Sequence, residues 1–575
     1  MDVSQQLPLF RFVHCIPGRY SSLPYLVSIS GRLETSVQHV IEELRSLPLD
    51  PESIALLHSI HEKPTVGHMG RGYVILSPAS EEGSPPKVLA EAYQYYPDLR
   101  RPLCFVYSGM GSQWATMGAE LLRLPIFAAA IERCRQVLEP RGVDLMRILT
   151  DPEPSIFDNI LHSFVGIAAV QIGLTDVLRE LGLKPDYIIV SENNCAYADE
   201  CFTLEETILA YSRGLVSVET PFVRGAMAAV RDLCPPDVAI ACHSSDSCTI
   251  SGPAESLRAF VSDLRARGIF AKEVPCSNIA YHSQYIAAAG PALLQHLSAI
   301  ITEPKRRSER WLSTSVPQDN WSKPAAIFSS AEYHTNNLLR PVLFEETARL
   351  LPRDAMLVEI APHGLLQAIL RRSMPSTCIN IPLTRRAHSE PITFLLEAIG
   401  KIYIGGHQPR LAVLYPAVEF PVSTGTPLLS HLMEWMHDEA FSQIHAIRIW
   451  SYERKFIISL HDEDYQYLVD RRIYGVPCFS AAGLLLLVWE TYAMAHAKRR
   501  DEFAVEFHRV KLAGDEPQVH EDRPLRLYVA IQRGCGYFEI VISFWIVFPV
   551  LLSTPICLSL DSNHGPAFDS EPVLV

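Results

Sequence analysis

Apolar positions recur along this chain in two periods, and the places where one gives way to the other divide it into parts. Over Thr35–Leu47 the apolar residues fall on one side of a helical wheel, which predicts an amphipathic helix. Short strand-like runs surround it, and Gly83-Ser-Pro-Pro86 is a breaker cluster suited to a boundary, so the first part closes near residue 97. From Pro102 to about Ile404 the runs Cys104–Tyr107, Phe164–Leu181, Tyr187–Val190 and Leu204–Glu219 alternate between strand and helix patterns. That alternation predicts an α/β domain around a largely parallel sheet. Inside it lies a smaller unit whose helix opens at Gly252-Pro253, with proline in the first helical position, and stops before Gly268. Leu257, Phe260, Val261 and Leu264 keep the 3–4 spacing of one buried face. The flanking runs Ala226–Val230, Cys248–Ser251 and Ile269–Val274 predict strands, so a ferredoxin-like α+β insert fits. Pro416, Pro421 and Pro427 mark an extended connector, and Asp462 to about Val541 carries a further strand–helix–strand pattern.

Composition narrows the function classes. With 575 residues, 48% hydrophobic and 20% charged, the chain has the balance of a core-forming protein of several domains. A net charge of −14 without a basic cluster argues against nucleic acid as a partner. The 13 cysteines are scattered, without C-x-x-C or His/Cys ligand spacing, and read as reduced thiols, with no metal site expected. Met1-Asp-Val-Ser-Gln-Gln6 has neither a basic start nor an apolar core, so a signal peptide is not expected. Ile540–Leu560 reaches bilayer-spanning length, but Pro549 and Pro555 interrupt it. It reads as an aberrant or strand-bearing tail, with a membrane segment as the alternative.

Candidate chemistry gathers in two places. Phe105-Val-Tyr-Ser-Gly-Met-Gly-Ser-Gln-Trp114 is an apolar strand running into a glycine-flanked loop, where backbone amides are able to meet a carbonyl or anionic oxygen. Ile279-Ala-Tyr-His-Ser283 sets His282 in a polar, aromatic context suited to a general base. In this order and setting, the two segments resemble the acyltransferase domain of animal type I fatty acid synthase. That resemblance implies an acyltransferase fold, an α/β-hydrolase-like core with a ferredoxin-like small subdomain. It also implies transfer of malonyl or acetyl groups from coenzyme A to an acyl carrier protein.

The nucleophile is the weak point. The family presents a serine in a Gly-His-Ser-x-Gly turn between a strand and a helix. Here the strand Tyr187–Val190 and the helix-forming Cys195-Ala-Tyr-Ala-Asp-Glu-Cys201 are joined only by Ser191-Glu192-Asn193-Asn194, about three residues short. Ser191 is the hydroxyl left for the role, and a plain turn serine or helix cap is its other reading, with Asn193 equally able to cap. His282 matches the family base, and Asn336-Asn337-Leu338 matches the segment whose backbone carbonyl orients it. Arg213, on a helix opened by the capping box Thr203/Glu206, matches the arginine that clamps the free carboxylate of malonyl-CoA. Without the resemblance, a mid-helix arginine is usually solvated or paired. Met110 and Gln113 match residues that line the acyl pocket and supply an oxyanion amide, core packing being the other reading of Met110. Glu359-Ile-Ala-Pro-His363 matches a supporting segment.

The likeness extends on both sides. Ser30-Gly-Arg32 and Arg71-Gly-Tyr73 resemble the linker ahead of the acyltransferase, and residues 462 to about 540 resemble the start of a hot-dog dehydratase. Its His-x-x-x-Gly-x-x-x-x-Pro motif reads here Arg471, Gly475 and Ser480. An arginine does not exchange protons near neutral pH, so dehydratase activity is not expected. The expected organisation is therefore a small α/β linker domain over 1–97 and the acyltransferase over 98–411, with its insert at 226–276. A proline-rich connector over 412–439, a partial hot-dog over 440–545 and an apolar tail over 546–575 complete it. The reading is a cytoplasmic acyltransferase, impaired by its damaged elbow, that binds no cofactor of its own. Its substrates are malonyl-CoA and acetyl-CoA, and its partners a phosphopantetheine-bearing carrier domain and other synthase domains or a second copy. The alternative is a catalytically inactive relative, or a fragment, that keeps only acyl-CoA or partner binding.

Overall fold

The computed structural model describes residues 23–79, 84–190, 197, 199, 205–231, 235–244, 247–274, 276–433 and 452–559. The last stretch is interrupted at 497, 503, 508–509, 512–514, 533–536, 543–549 and 555–557. The chain divides into two compact units, Met1–Trp435 and Met436–Val575.

The first unit begins with three antiparallel strands, β1 (Tyr25–Gly31), β2 (Gly70–Ser77) and β3 (Lys87–Tyr95), in the order β1-β2-β3. The helix Glu34–Ser46 covers them, with Val37 and Ile41 buried, within a residue of the predicted bounds. The helix Pro51–Ile60 follows, opened by Asp50, whose carboxylate accepts from Ser53 N at 2.7 Å. Arg71 leaves this sheet to donate to the Tyr403 carbonyl at 3.1 Å and stacks over Tyr96, which ties the sheet to the helix Pro391–Ile404. Past that helix the chain turns back, and Tyr415 stacks on Tyr25 while its hydroxyl accepts from Leu26 N. The described part of the proline-rich segment is thus docked on β1 and on the helices Glu34–Ser46 and Pro51–Ile60; residues 434–439 lie outside the described ones.

Five parallel strands form the central sheet: β4 (Leu103–Tyr107), β5 (Tyr187–Val190), β11 (Trp311–Leu312), β13 (Met356–Ile360) and β14 (Ile379–Pro382), ordered β11-β5-β4-β13-β14. Their residues are buried almost throughout, as expected for a sheet covered on both faces. The helices Pro125–Leu138 and Ile160–Glu180 pack together against this sheet. Ile160–Glu180 is long and apolar enough to cross a bilayer, yet 89% of its most apolar window is buried inside the protein, as for a core helix. The paired strands β10 (Lys305–Arg306) and β12 (Phe328–Ser329) lie outside the sheet.

The insert is a four-stranded antiparallel sheet of β6 (Gly225–Val230), β7 (Ala239–His243), β8 (Cys248–Pro253) and β9 (Ala271–Val274). Its order, β7-β8-β6-β9, is that of a ferredoxin-like sheet. One helix, Ala254–Ala266, buries Leu257, Val261 and Leu264 against it, and each fully buried side chain contributes about 1.5–3 kcal/mol. Two details differ from the sequence pattern. Pro253 caps this helix and also ends β8, because the strand, which pairs Pro253 with Gly225, reaches two residues further than the run Cys248–Ser251. The half-exposed strand β7, with only Ala241 buried, covers most of the apolar run Val238–Cys242, which the sequence pattern above does not single out.

In the second unit, β15 (Glu453–Ile458), β19 (Leu525–Ile531), β20 (Phe538–Ile542) and β21 (Val550–Thr554) form an antiparallel sheet in that order. The apolar helix Ala481–Ala495 lies against it, burying Leu484, Leu487 and Val488. Two hairpin strands, β16 (Arg472–Ile473) and β17 (Val476–Pro477), precede that helix, and β18 (Glu506–Phe507) pairs with β22 (Leu558–Ser559). In the apolar run Ile540–Leu560, the described residues are thus strands β20, β21 and β22; the first two form a register-matched antiparallel pair, and no membrane helix appears among them.

Candidate active site

Adjacent parallel strands β4, β5 and β13 all release their chains at the same edge of the central sheet. Loops from the carboxyl ends of neighbouring strands are where open α/β sheets build ligand sites. β4 leads into Ser108–Trp114, β13 into Ala361–Gly364, and β5 into the shortened turn. Ser191 and its turn, residues 191–196, lie outside the described residues.

The glycine loop after β4 is held from three directions. Gly111 has φ +95, a conformation that favours glycine, and its amide donates to Gln113 Oε1 at 2.8 Å. Arg386 donates to the Gly111 and Gln113 carbonyls, each at 2.9 Å, and Trp114 Nε1 reaches the Pro362 carbonyl at 2.8 Å. From below, Gln171 Nε2 bonds the carbonyls of Ser108 and Ile360, stitching β4 to β13. Met110 is partly buried against the main core, in keeping with its packing role. Glu359 accepts from Leu366 N at 2.8 Å and from Gln367 Nε2 at 2.7 Å, and burial pushes its pKa up; it is a structural carboxylate of the β13 loop.

His282 is 4% exposed and sits at φ +57, an uncommon backbone conformation for a residue with a Cβ. The segment leading to it is pinned by Gly225 N donating to the Asn278 carbonyl at 2.7 Å. A Cβ on Gly225 would stand 2.4 Å from Ala280 N, so only glycine permits this approach. The ring's Nδ1 lies 3.0 Å from the Arg340 carbonyl. Since a carbonyl only accepts, Nδ1 is the nitrogen that donates here, which leaves Nε2 as the one placed to exchange a proton. The orienting carbonyl therefore belongs to Arg340, not to Asn336-Asn337-Leu338. Those three residues lie in the last turn of the helix Ala331–Leu339, where the Asn336 carbonyl is taken by the Arg340 amide, and the carbonyl that meets His282 is that of the C-cap residue, Arg340.

Asn337 has another task. Its Oδ1 accepts from Arg213 Nη1 at 3.2 Å, and its Nδ2 donates to Ser315 Oγ at 2.6 Å. Arg213 is 1% exposed on the helix Glu205–Glu219, and its Nη2 donates to the His334 carbonyl at 2.9 Å. Arg213 is thus fastened to the short helix Ala331–Leu339 and His282 to its C-cap Arg340, while Ser330 caps the helix's other end by accepting from Tyr333 N. The His334 ring is buried beside Arg213 and Arg307; burial first, then those charges, pushes its pKa down to about 3. It bonds Ser329 Oγ as a neutral ring at 2.8 Å. Sequence reasoning missed Arg340, His334, Ser315, Gln171 and Arg386. Only Gln171 carried a signal, as an amide within an otherwise apolar helix.

In the second unit the three positions aligned with the dehydratase motif have structural employment. Arg471 grips Glu516 with both Nη atoms, at 2.7 and 3.1 Å, and also donates to the Cys478 carbonyl. Gly475, at φ +83, makes the β16–β17 turn, and Ser480 caps the helix Ala481–Ala495 by accepting from Gly483 N. Among the described residues no group of histidines, cysteines or carboxylates has the makings of a metal site.

A family model described as the acyl transferase domain matches residues 104–409, and one described as the ketoacyl-synthetase C-terminal extension matches residues 13–75. The chain belongs to the acyl transferase domain family. Among its relatives, the highly reducing polyketide synthase alnA of Emericella nidulans is 29% identical over 387 residues, 59% of this chain and 15% of that protein. The low-reducing polyketide synthase drtA of Aspergillus calidoustus is 27% identical over 505 residues, 74% of this chain and 20% of that one. The chain therefore spans 15–20% of the length of these two curated relatives. In fold it is similar to the acyltransferase domain of SpnD, solved in complex with 2-(pent-4-yn-1-yl)malonyl. That match has TM-score 0.55 and 20% identity, and covers 69% of this chain and 98% of that one. The acyltransferase domain from module 8 of the salinomycin polyketide synthase matches at TM-score 0.54 and 20% identity, over 68% and 98% of the two chains.

Proposed function

We propose that this chain is a synthase-type acyltransferase unit that keeps the recognition of a malonyl thioester and has lost most of the transfer step. The observation that carries this is the shared anchoring of the two site residues. Arg213 is hydrogen-bonded to the helix Ala331–Leu339 and His282 to its C-cap residue Arg340, so that a carboxylate clamp and a base stand in fixed relation. In an intact site, a serine hydroxyl at position 191 attacks the thioester carbonyl as His282 Nε2 takes its proton, and the glycine-loop amides hold the oxyanion. As the tetrahedral intermediate collapses coenzyme A leaves, taking the proton from His282, and the acyl-serine then passes its acyl group to the thiol of a carrier-bound phosphopantetheine, freeing the serine. Arg213 favours malonyl over acetyl because a guanidinium pairs with a carboxylate and gains nothing from a methyl group.

The short turn Ser191-Glu-Asn-Asn194 has no glycine on either side of the serine, which is why the transfer step is read as impaired. Losing the nucleophile from such a unit costs on the order of a millionfold in turnover. The animal fatty acid synthase assignment rests on the sequence motifs; the relatives named above are polyketide synthases, which supports an extender-unit acyltransferase of either pathway. The working setting is a cytoplasmic one, beside a carrier domain. Incubation with labelled malonyl-CoA and peptide mapping tests the proposal. Stoichiometric label on Ser191 would show a competent elbow and overturn the impaired reading.

A further inference from the structure

Behind the β13 loop, along the edge strand β14, lies a cavity of about 410 Å³, within the size range of small-ligand sites. His363, Gly364 and Gln367 wall it on one side, Asn380–Pro382 along the strand, and Phe394, Ala398 and Lys401 from the helix Pro391–Ile404. Its charge is one-sided. Arg371, Arg385 and Lys401 line it with no acidic residue, and neither arginine side chain forms an ion pair or hydrogen bond among the described residues. Lys401 is held only loosely, 3.4 Å from Glu397.

The wall also carries acceptors without donors. Gln367, 9% exposed, gives its Nε2 to Glu359, which identifies its other terminal atom as the oxygen; that Oε1 is buried and has no partner. Asn380 Oδ1 is buried and unpartnered in the same way. Buried acceptors in that state favour a ligand bringing N–H or O–H groups, and unpaired guanidinium forks favour a phosphate, which they bind bidentately. The rim is wired to the reaction site. Arg386 N donates to His363 Nδ1 at 3.2 Å, while the same residue's guanidinium holds the glycine loop.

We infer that this cavity is a phosphate subsite, taking a phosphate ester flanked by N–H or O–H donors. Two molecules of the proposed reaction have that chemistry, the nucleotide end of an acyl-CoA and the phosphopantetheine arm of a carrier. The inference rests on the proposed function for its choice of ligand, and its test does not need transfer activity. A phosphate ester seated there neutralises Arg371 and Arg385 with its phosphate and satisfies the two open acceptors with its own N–H or O–H groups, without touching Arg213. Burial, then Arg386 and Arg385, hold the His363 pKa below the usual histidine range, and a bound anion raises it.

Calorimetry on the full chain with adenosine 3′,5′-bisphosphate and with 4′-phosphopantetheine, neither bearing an acyl group, makes the test. Saturable binding of either probe is expected, weakened at least tenfold in an Arg371→Gln/Arg385→Gln variant. The two exposed arginines contribute little to packing, and an unchanged thermal midpoint checks that the variant is folded. Preference for the bisphosphate assigns the cavity to coenzyme A, preference for phosphopantetheine to the carrier arm. Binding that survives the double substitution, absence of binding by both probes, or equally tight binding of inorganic phosphate overturns the inference. Loss of malonyl preference with bisphosphate binding intact would instead count against the proposed function alone.

Discussion

Asn337 is where recognition and stability can be separated by a change of one atom. Its side chain holds Arg213 Nη1 at 3.2 Å and Ser315 Oγ at 2.6 Å. Asn337→Leu removes a hydrogen bond to a buried charge, worth about 1.5–3 kcal/mol, and leaves the Ser315 hydroxyl short of a partner at about 1–3 kcal/mol more. A loss of about 2.5–6 kcal/mol in the first unit follows, read as a lowered urea midpoint. Asn337→Asp keeps the size and the acceptor facing Arg213, and the serine hydroxyl is able to donate to the new carboxylate. Stability should therefore hold, but the guanidinium now carries a resident carboxylate. If Arg213 selects malonyl-CoA over acetyl-CoA by a charge-assisted pair of about 1.5–3 kcal/mol, the preference is about 10- to 150-fold and the aspartate abolishes it. Calorimetry with the two esters on wild type, Asn337→Asp and Arg213→Ala gives the comparison. A folded Asn337→Asp protein that still prefers malonyl-CoA would remove Arg213 from the role of clamp.

Three other outcomes are expected. The His334 pKa is pushed down to about 3 and that of His58 to about 4, both by burial, while the unfolded values stay near 6.5. Below pH 6.5 the unfolded chain takes up protons that the folded one refuses. Stability therefore falls by about 1.4 kcal/mol per pH unit per histidine until the folded pKa is reached. A urea midpoint flat from pH 7 to 5 would contradict the burial of these rings. Gly225→Val places a side chain where Ala280 N stands at 2.4 Å, so it should cost about 1–3 kcal/mol and expose the 276–283 segment to protease; an unchanged cleavage pattern would refute the hinge contact. In the second unit Arg471→Ala should loosen the start of the helix Ala481–Ala495, where Glu516 also accepts from Ala481 N, with no hydratase activity before or after. Hydration of an enoyl thioester that vanishes on this substitution would restore the dehydratase reading.

The parts legible from the chain are those whose residues report on their own environment. Buried parallel strands are continuous apolar runs, so β4 and β5 were plain, and the insert helix showed its face through Leu257, Val261 and Leu264. β7 was not legible because a half-exposed strand whose register shifts between Ile240 and Cys242 leaves no clean alternation. At the site, side-chain identities pointed to His282 and Arg213, but their partners are mostly backbone carbonyls, which any residue supplies. Nothing in the letters Arg340 or His334 announces that their carbonyls orient a histidine and an arginine. The same holds for Arg386, whose role depends on a loop approaching from the other end of the domain.

The proposed asymmetry between an impaired turn and retained anchors has a physical reason. Arg213, Asn337, His334 and Ser315 are all buried, and removing any one leaves a charge or a polar group without its partner inside the fold. Their presence is therefore required for stability whether or not acyl transfer occurs. A nucleophile elbow stands in the opposite position: it is a strained turn, costing free energy to hold and contributing little packing, so shortening it relieves strain and costs activity alone. A buried arginine and an oriented histidine are thus what a working enzyme and a relic would share. The discriminating quantity is the difference in affinity between malonyl-CoA and acetyl-CoA, because a guanidinium retained only for packing has no reason to stay accessible to a ligand carboxylate.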